Sequence, residues 1–233
     1  MLGNSANAVA IIIGSVLGVL LKNHVSEKLN QTMLQALGLS VVVIGIAGSL
    51  KMENILLVII SLVLGALVGE LIDIEHGLKR FGDWIESKLK GSKSDFSKAF
   101  VSATLLFCVG SMAVVGSLTS GLTGDNTILY AKALLDGVIS FVFASTMGIG
   151  VVLSAIPVFL YQGSIVLLSG GLKPLFDNPL ALGDLTAVGS VLIIGIGINI
   201  LNIQKIKVGN MLPALFGPIL FYGFQLLLNN ALL

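Results

Sequence analysis

The run ILYAKALLDGVISFVFASTMGIGVVLSAIPVFLYQGSIVLLSGGL, from Ile128 to Leu172, decides the fold class. Its 45 residues carry only two charged side chains, Lys132 and Asp136. A helix rises about 1.5 Å per residue, so about 20 apolar residues cross the roughly 30 Å hydrocarbon core of a bilayer. The run is too long for one crossing and long enough for two. The chain would reverse near Met147-Gly148-Ile149-Gly150. It reads as two consecutive membrane-spanning helices.

The rest of the 233-residue chain has the same character. Hydrophobic residues make up 55%, charged residues 11%, and mean hydropathy is +1.03. Soluble domains carry about 25% charged residues. This composition excludes a soluble enzyme, a disordered tail and a disulfide scaffold. A net charge of +1 leaves no basic face for nucleic acid. Six further apolar segments can be set beside the central two: Ala6–Leu21, Leu34–Leu50, Ile55–Leu71, Ala99–Leu118, Leu185–Leu201 and Met211–Leu228. Eight spans use about 160 positions and leave about 70 for loops. The expected fold is therefore an all-α polytopic membrane protein of about eight transmembrane helices. The start, Met1-Leu2-Gly3-Asn4-Ser5, lacks a positive region, so the first apolar run reads as an uncleaved span. The single cysteine, Cys108, lies in an apolar run and reads as packing; His24 and His76 read as structural loop residues.

Lysine and arginine in short loops orient such a chain. With eight spans, ten of the thirteen fall on one side, which should be cytoplasmic. Both termini then lie outside the cytoplasm. The longest loop has its own pattern. Leu78, Phe81, Ile85 and Leu89 recur at helical spacing beside Trp84, among Lys79, Arg80, Lys88 and Lys90. Such a basic amphipathic helix is expected to lie in the headgroup region, held by anionic lipids.

An internal repeat is also legible. Gly14-Ser15-Val16 recurs as Gly163-Ser164-Ile165, Ser40–Ile46 as Ser190–Ile196, and Lys51–Leu56 as Lys207–Leu212. The order is kept and the offsets stay near 150. Spans 1–3 and 6–8 would be two copies that begin on opposite sides of the membrane. That gives a first three-span repeat (1–74), a basic amphipathic segment (75–98), a central helix pair (99–148) and a second repeat (149–233). Inverted repeats are common in secondary transporters, with the substrate site near the midplane.

The polar residues inside the spans suggest where such a site would lie. Asp136 falls near the middle of the fifth span, four residues from Lys132 and on the same helical face. A carboxylate at that depth needs a partner or a water-filled cavity. Lys132 and Asp136 are the leading candidates for binding a solute or ion. Asp125, Ser111, Ser140, Tyr161, Gln162 and Asn199 are the other candidates, each a polar group in or beside a span. Gly14/Gly18 and Gly65/Gly69 have the spacing that brings helix backbones together. Gly110–Gly121 mixes glycine with hydroxyl residues so densely that a continuous helix is poorly favoured, and it is a candidate path lining. No catalytic set, cofactor loop or metal cluster is legible, so neither an enzyme nor a cofactor is expected; a metal ligand set is left open.

The central run GSMAVVGSLTSGLTGD (Gly110–Asp125), the spacing of Lys132, Asp136 and Gly137, and FASTMGIGVVLSAIPVFLYQG (Phe143–Gly163) resemble the bacterial membrane family catalogued as domain of unknown function 554. The resemblance covers nearly the whole chain. It implies a multi-pass protein of the bacterial inner membrane with a transport role and no named substrate. The expected function is transport of a small solute or ion, coupled to a cation or proton through Asp136. A channel-like pore and a membrane-embedded accessory protein are the alternatives. The expected partners are the bilayer, anionic lipids at the amphipathic segment and the solute; pairing of the chain with itself is left open.

Overall fold

The computed structural model describes residues 1–22, 26–88, 96–109, 111–176 and 178–231, and no strand occurs among them. His24, Leu89, Lys90, Lys93 and Gly110 therefore lie outside the described residues. The helices are α1 (Leu2–Leu21), α2 (Glu27–Ser49), α3 (Ile55–Ile72), α4 (Ile74–Lys88), α5 (Phe96–Val109), α6 (Ser111–Thr123), α7 (Thr127–Met147), α8 (Ala155–Phe176), α9 (Pro179–Ile200) and α10 (Phe216–Ala231). A 3-10 turn, η1 (Ile149–Ser154), leads into α8, and a second, η2 (Val208–Leu215), leads into α10.

Local chemistry sets these boundaries. Ser26 caps α2 by accepting from the Leu29 amide at 3.3 Å, and Asn54 caps α3 through the Leu57 amide at 3.1 Å. Asn178 caps α9, followed by Pro179 in the first turn, where a missing N–H costs nothing. That cap starts α9 six residues before the Leu185 expected from hydropathy. The reversal after α7 falls at Gly148, whose φ of +96° is a conformation that side chains disfavour. The expected turn in the central run is where the chain turns.

Seven of these helices, counting η1–α8 and η2–α10 as one each, are long and apolar enough to cross a membrane. The helices α5 and α6, bent by 55° at the break between them, make an eighth candidate when the pair is counted as one broken span. Hydropathy alone suggested one continuous span from Ala99 to Leu118. The break falls at the start of the glycine- and hydroxyl-rich stretch that was expected to weaken a helix.

The outer surface of the bundle is apolar, the reverse of a soluble protein. Leu67 and Leu71 on α3, Leu134 and Val138 on α7, Leu167 on α8 and Leu227 on α10 are all exposed. The core instead holds small and polar residues along with Phe96, Phe100, Phe107 and Phe143. Both glycine pairs are spent on close packing. A Cβ at Gly14 would lie 2.1 Å from the Gly137 carbonyl oxygen, and one at Gly69 would lie 1.8 Å from that of Asn210. So α1 packs closely on α7, and α3 on η2.

Contacts at the helix ends fall into two sets, as an alternating up-and-down bundle of eight candidate crossings would place them. At one end, the Gly3 amide donates to Asn126 Oδ1 (3.0 Å), and the Glu53 and Asn54 amides donate to Asp184 Oδ1 (2.8 Å each). At the other end, the Glu75 amide donates to Asn210 Oδ1 (2.7 Å), and Lys98 donates to Asn202 (3.3 Å). Gly150 also packs there on the Phe96 carbonyl.

Candidate functional site

Asp136 stands nine residues beyond the first residue of α7, about 14 Å along the helix axis. It is 5% exposed and Lys132, one turn earlier, is 4% exposed. The i,i+4 spacing lays the two side chains together, and Lys132 Nζ is paired with Asp136 Oδ2. The ammonium also sits 5.8 Å from the centre of the Phe107 ring on α5, a cation–π contact. Three elements thus fix the pair: its own helix, α5, and α1, whose close approach at Gly14 seals the neighbouring turn.

Amides complete the cluster. Asn7 of α1 lies beside the Asp136 carboxyl, and its Nδ2 donates to Gln162 Oε1 of α8 at 3.3 Å. Both side chains are fully buried. Asn7 Oδ1 and Gln162 Nε2 have no partner, nor do Asn4 Oδ1, Ser15 Oγ, Thr104 Oγ1 and Ser117 Oγ, all buried among the described residues. A buried polar atom left unpaired costs about 1–3 kcal/mol, so each of these atoms calls for an explanation.

The remaining candidates separate into three groups. Gln162 joins the pair, and Ser140 lies one turn further along α7, where its hydroxyl donates to the carbonyls of Gly137 (3.0 Å) and Ile11 (3.2 Å). Tyr161 packs against Val114 and Leu118 of α6 and Leu185 of α9. Asp125 and Asn199 lie outside the cluster. Asp125 is exposed and accepts from the Thr127 amide (2.9 Å) and hydroxyl (2.6 Å), which hold its carboxyl below the usual carboxylate value. Asn199 clasps the loop after α9: its Oδ1 accepts from the Ile206 amide at 2.7 Å and its Nδ2 donates to the Ile206 carbonyl at 2.8 Å. Ser111 opens α6, and its side chain lies outside the described residues.

Three buried polar residues escaped the sequence reading. Asn4 and Asn7 are one turn apart in an otherwise apolar first helix, a spacing that signals a polar stripe. Asp184 is fully buried, and its carboxylate accepts from two backbone amides and from the Tyr222 hydroxyl at 2.8 Å. Those three donors make it a clasp between α9, α10 and the loop before α3. At the opposite end Glu70, Lys207 and Asn210 form a similar clasp, in which the Glu70 carboxylate raises the Lys207 ammonium above its ordinary value.

A cavity of about 560 Å³ opens at that same end, between α4, α5 and the loop after α9. Lys79, Lys98, Lys205 and Glu75 line it, with Asn199 beside them and Leu105 at its apolar wall. The three lysines make no ion pair among the described residues. Leu105 stands two residues before Phe107, so this vestibule reaches within about 3 Å, along the axis of α5, of the level of the ring that faces Lys132, but on another side of that helix.

A family model described as "Protein of unknown function (DUF554)" matches residues 2–223. The uncharacterized membrane protein YdfK of Bacillus subtilis (strain 168) is 35% identical, over 94% of this chain and 94% of its own length. The uncharacterized protein YqgA of Escherichia coli (strain K12) is 33% identical, over 92% of this chain and 93% of its own. No solved structure matches the chain.

Proposed function

The chain belongs to the DUF554 family, and from that premise we propose that it is a membrane transporter of a small solute or ion, working through Lys132 and Asp136. The observation that carries this reading is a charged pair at mid-span with unpaired amide atoms beside it. Ionisable groups at that depth are costly and mark solute or ion pathways. A purely structural pair needs no orphaned Asn7 carbonyl or Gln162 amide next to it.

The inverted repeat suggested by the sequence is part of the same reading, and the helix contacts agree with it. In an inverted pair, two equivalent antiparallel helices cross at equivalent residues. Ile44 of α2 and Ile194 of α9 are equivalent in the sequence repeat, and a Cβ on the adjacent Gly45 would lie 2.6 Å from Ile194. Gly48 meets Ser190, four residues beyond one member and four before the other. The offset of the third match makes Ser61 of α3 equivalent to Gly217 of α10, and a Cβ at Gly217 would lie 2.1 Å from the Ser61 hydroxyl. Both helix pairs are centred on equivalent positions, as a pseudo-twofold axis in the membrane plane demands.

The lysine-rich end faces the cytoplasm of a bacterial cell, which puts both termini outside. On α4, Phe81 (46% exposed) and Trp84 (58% exposed) stack at 6.1 Å beside the exposed Arg80, a face suited to anionic headgroups. The pore alternative has less support, because Gly116 and Gly121 of α6 lie against Leu129 and Ser169 instead of lining a path.

The test is the melting temperature of the purified protein across a panel of ions and small solutes. At least one should stabilise the parent, and Asp136→Asn should change which ones do or how their effect depends on pH. A parent that responds to none, or a variant with an unchanged response, contradicts the proposal.

A further inference from the structure

We infer that the translocated solute is a small anion, that it binds on Lys132, and that it enters together with a proton taken up by Asp136. This rests on the transporter reading and names its substrate class and coupling. In the closed structure Lys132 and Asp136 neutralise one another, and the site carries no net charge. Adding an anion alone would leave one uncompensated negative charge at mid-membrane, and adding a proton alone one positive charge. Adding both keeps the site neutral. The proton goes from water to an Asp136 carboxyl oxygen, the ion pair breaks, and the freed Lys132 ammonium takes the anion; both leave together on the other side. In a low-dielectric core only the neutral states are well populated, and that is the coupling.

Two further observations point to an anion. The unpaired atoms leave hydrogen-bonding capacity for a loaded state: Asn7, beside the Asp136 carboxyl, keeps a free Oδ1, and Gln162, bonded to Asn7, keeps a free Nε2. The vestibule at the lysine-rich end carries Lys79, Lys98 and Lys205 against the single carboxylate of Glu75, a net positive lining that would concentrate anions at its mouth. The titratable groups around Asp136 are few. Lys132 is on its own helix, Cys108 of α5 is within electrostatic reach, and Tyr161 of α8 lies beyond Cys108. Neither α6 nor η1 has a charged residue, and α1 brings only Lys22, which is at Gly148 near the far end of α7. Lys28, at the start of α2, is exposed.

The test is thermal melting in detergent as sodium chloride, nitrate and formate are titrated between pH 5.5 and 7.5. Two control arms exchange sodium for potassium at fixed chloride and add glycine. The anion concentration at half-effect should rise by up to tenfold per pH unit above the protonation of Asp136. Asp136→Asn mimics the protonated state and should bind anions with no pH dependence. The neutral double variant Lys132→Gln/Asp136→Asn leaves no bare charge and should lose the anion response while staying folded. An anion response that survives in the double variant overturns the inference. Stabilisation by cation or glycine that is lost on mutating Asp136 also overturns it and leaves the transporter reading standing. No response in parent or Asp136→Asn to any arm overturns both.

Discussion

At the residue scale, the buried Asp184 clasp and the Lys132–Asp136 pair have different roles in this reading, and mutation should tell them apart. Asp184 accepts three hydrogen bonds, two of them from backbone amides that have no other acceptor. Bonds to a charged group are worth about 1.5–3 kcal/mol each, so Asp184→Ala should destabilise by about 3 kcal/mol or more in denaturant titrations. Tyr222→Phe removes a single donor and should cost about half that. Asp136→Asn should likewise cost about 3–5 kcal/mol without anion, because Lys132 is left buried and bare. Unlike the Asp184 loss, this one should be recovered by added anion. Outside the membrane, the hydroxyl and amide of Thr127 depress the Asp125 carboxyl. A depressed carboxylate contributes stability above its unfolded pKa and loses that contribution as pH falls through the folded value. Thr127→Val keeps the amide but removes the hydroxyl, so the Asp125 pKa should move up toward the ordinary value in a carboxyl NMR titration. Asp136 was legible because a charge stands alone in an apolar run. Asp184 was passed over because it lies at the edge of a span, where a carboxylate needs no explanation until its donors are known.

At the scale of elements, glycine decides which helices touch. Gly69→Val would drive a side chain into the Asn210 backbone, 1.8 Å from the new Cβ, and prise α3 from η2. A loss of about 3 kcal/mol is expected, at the upper end for overpacking because backbone must move. Gly77 on α4 meets nothing within 4 Å, so Gly77→Ala should stabilise by about 0.5–1 kcal/mol through helix propensity alone. Melting both variants side by side checks that glycine count says little and glycine position much. The sequence exposed the two glycine pairs by spacing but could not say which partner each would meet. The break between α5 and α6 was half legible. The mixture of glycine and hydroxyl residues signalled a weak helix, while the 55° bend depends on tertiary packing.

At the scale of the whole molecule, seven candidate crossings and an eighth broken one match the eight expected from hydropathy, and the reversal at Gly148 was readable from the length of one apolar run. The cavity at the lysine-rich end was not, since its lysines come from α4, α5 and the loop after α9, far apart in sequence. Reporter fusions at the C-terminus should read as outside the cytoplasm; a cytoplasmic C-terminus would remove the alternation of ends. Transport makes a stronger demand, that the closed midplane open to water. Cys108, the chain's one thiol, lies beside the residue whose ring faces Lys132, and so serves as a built-in probe. The most direct measurement is its rate of reaction with a water-soluble maleimide in the folded protein, reconstituted in vesicles. Transport through this site predicts labelling from the lysine-rich side in the native state, slowed at fixed pH when nitrate is added, since a lower pH would itself slow the thiolate reaction. Labelling that occurs only when the protein unfolds would contradict it.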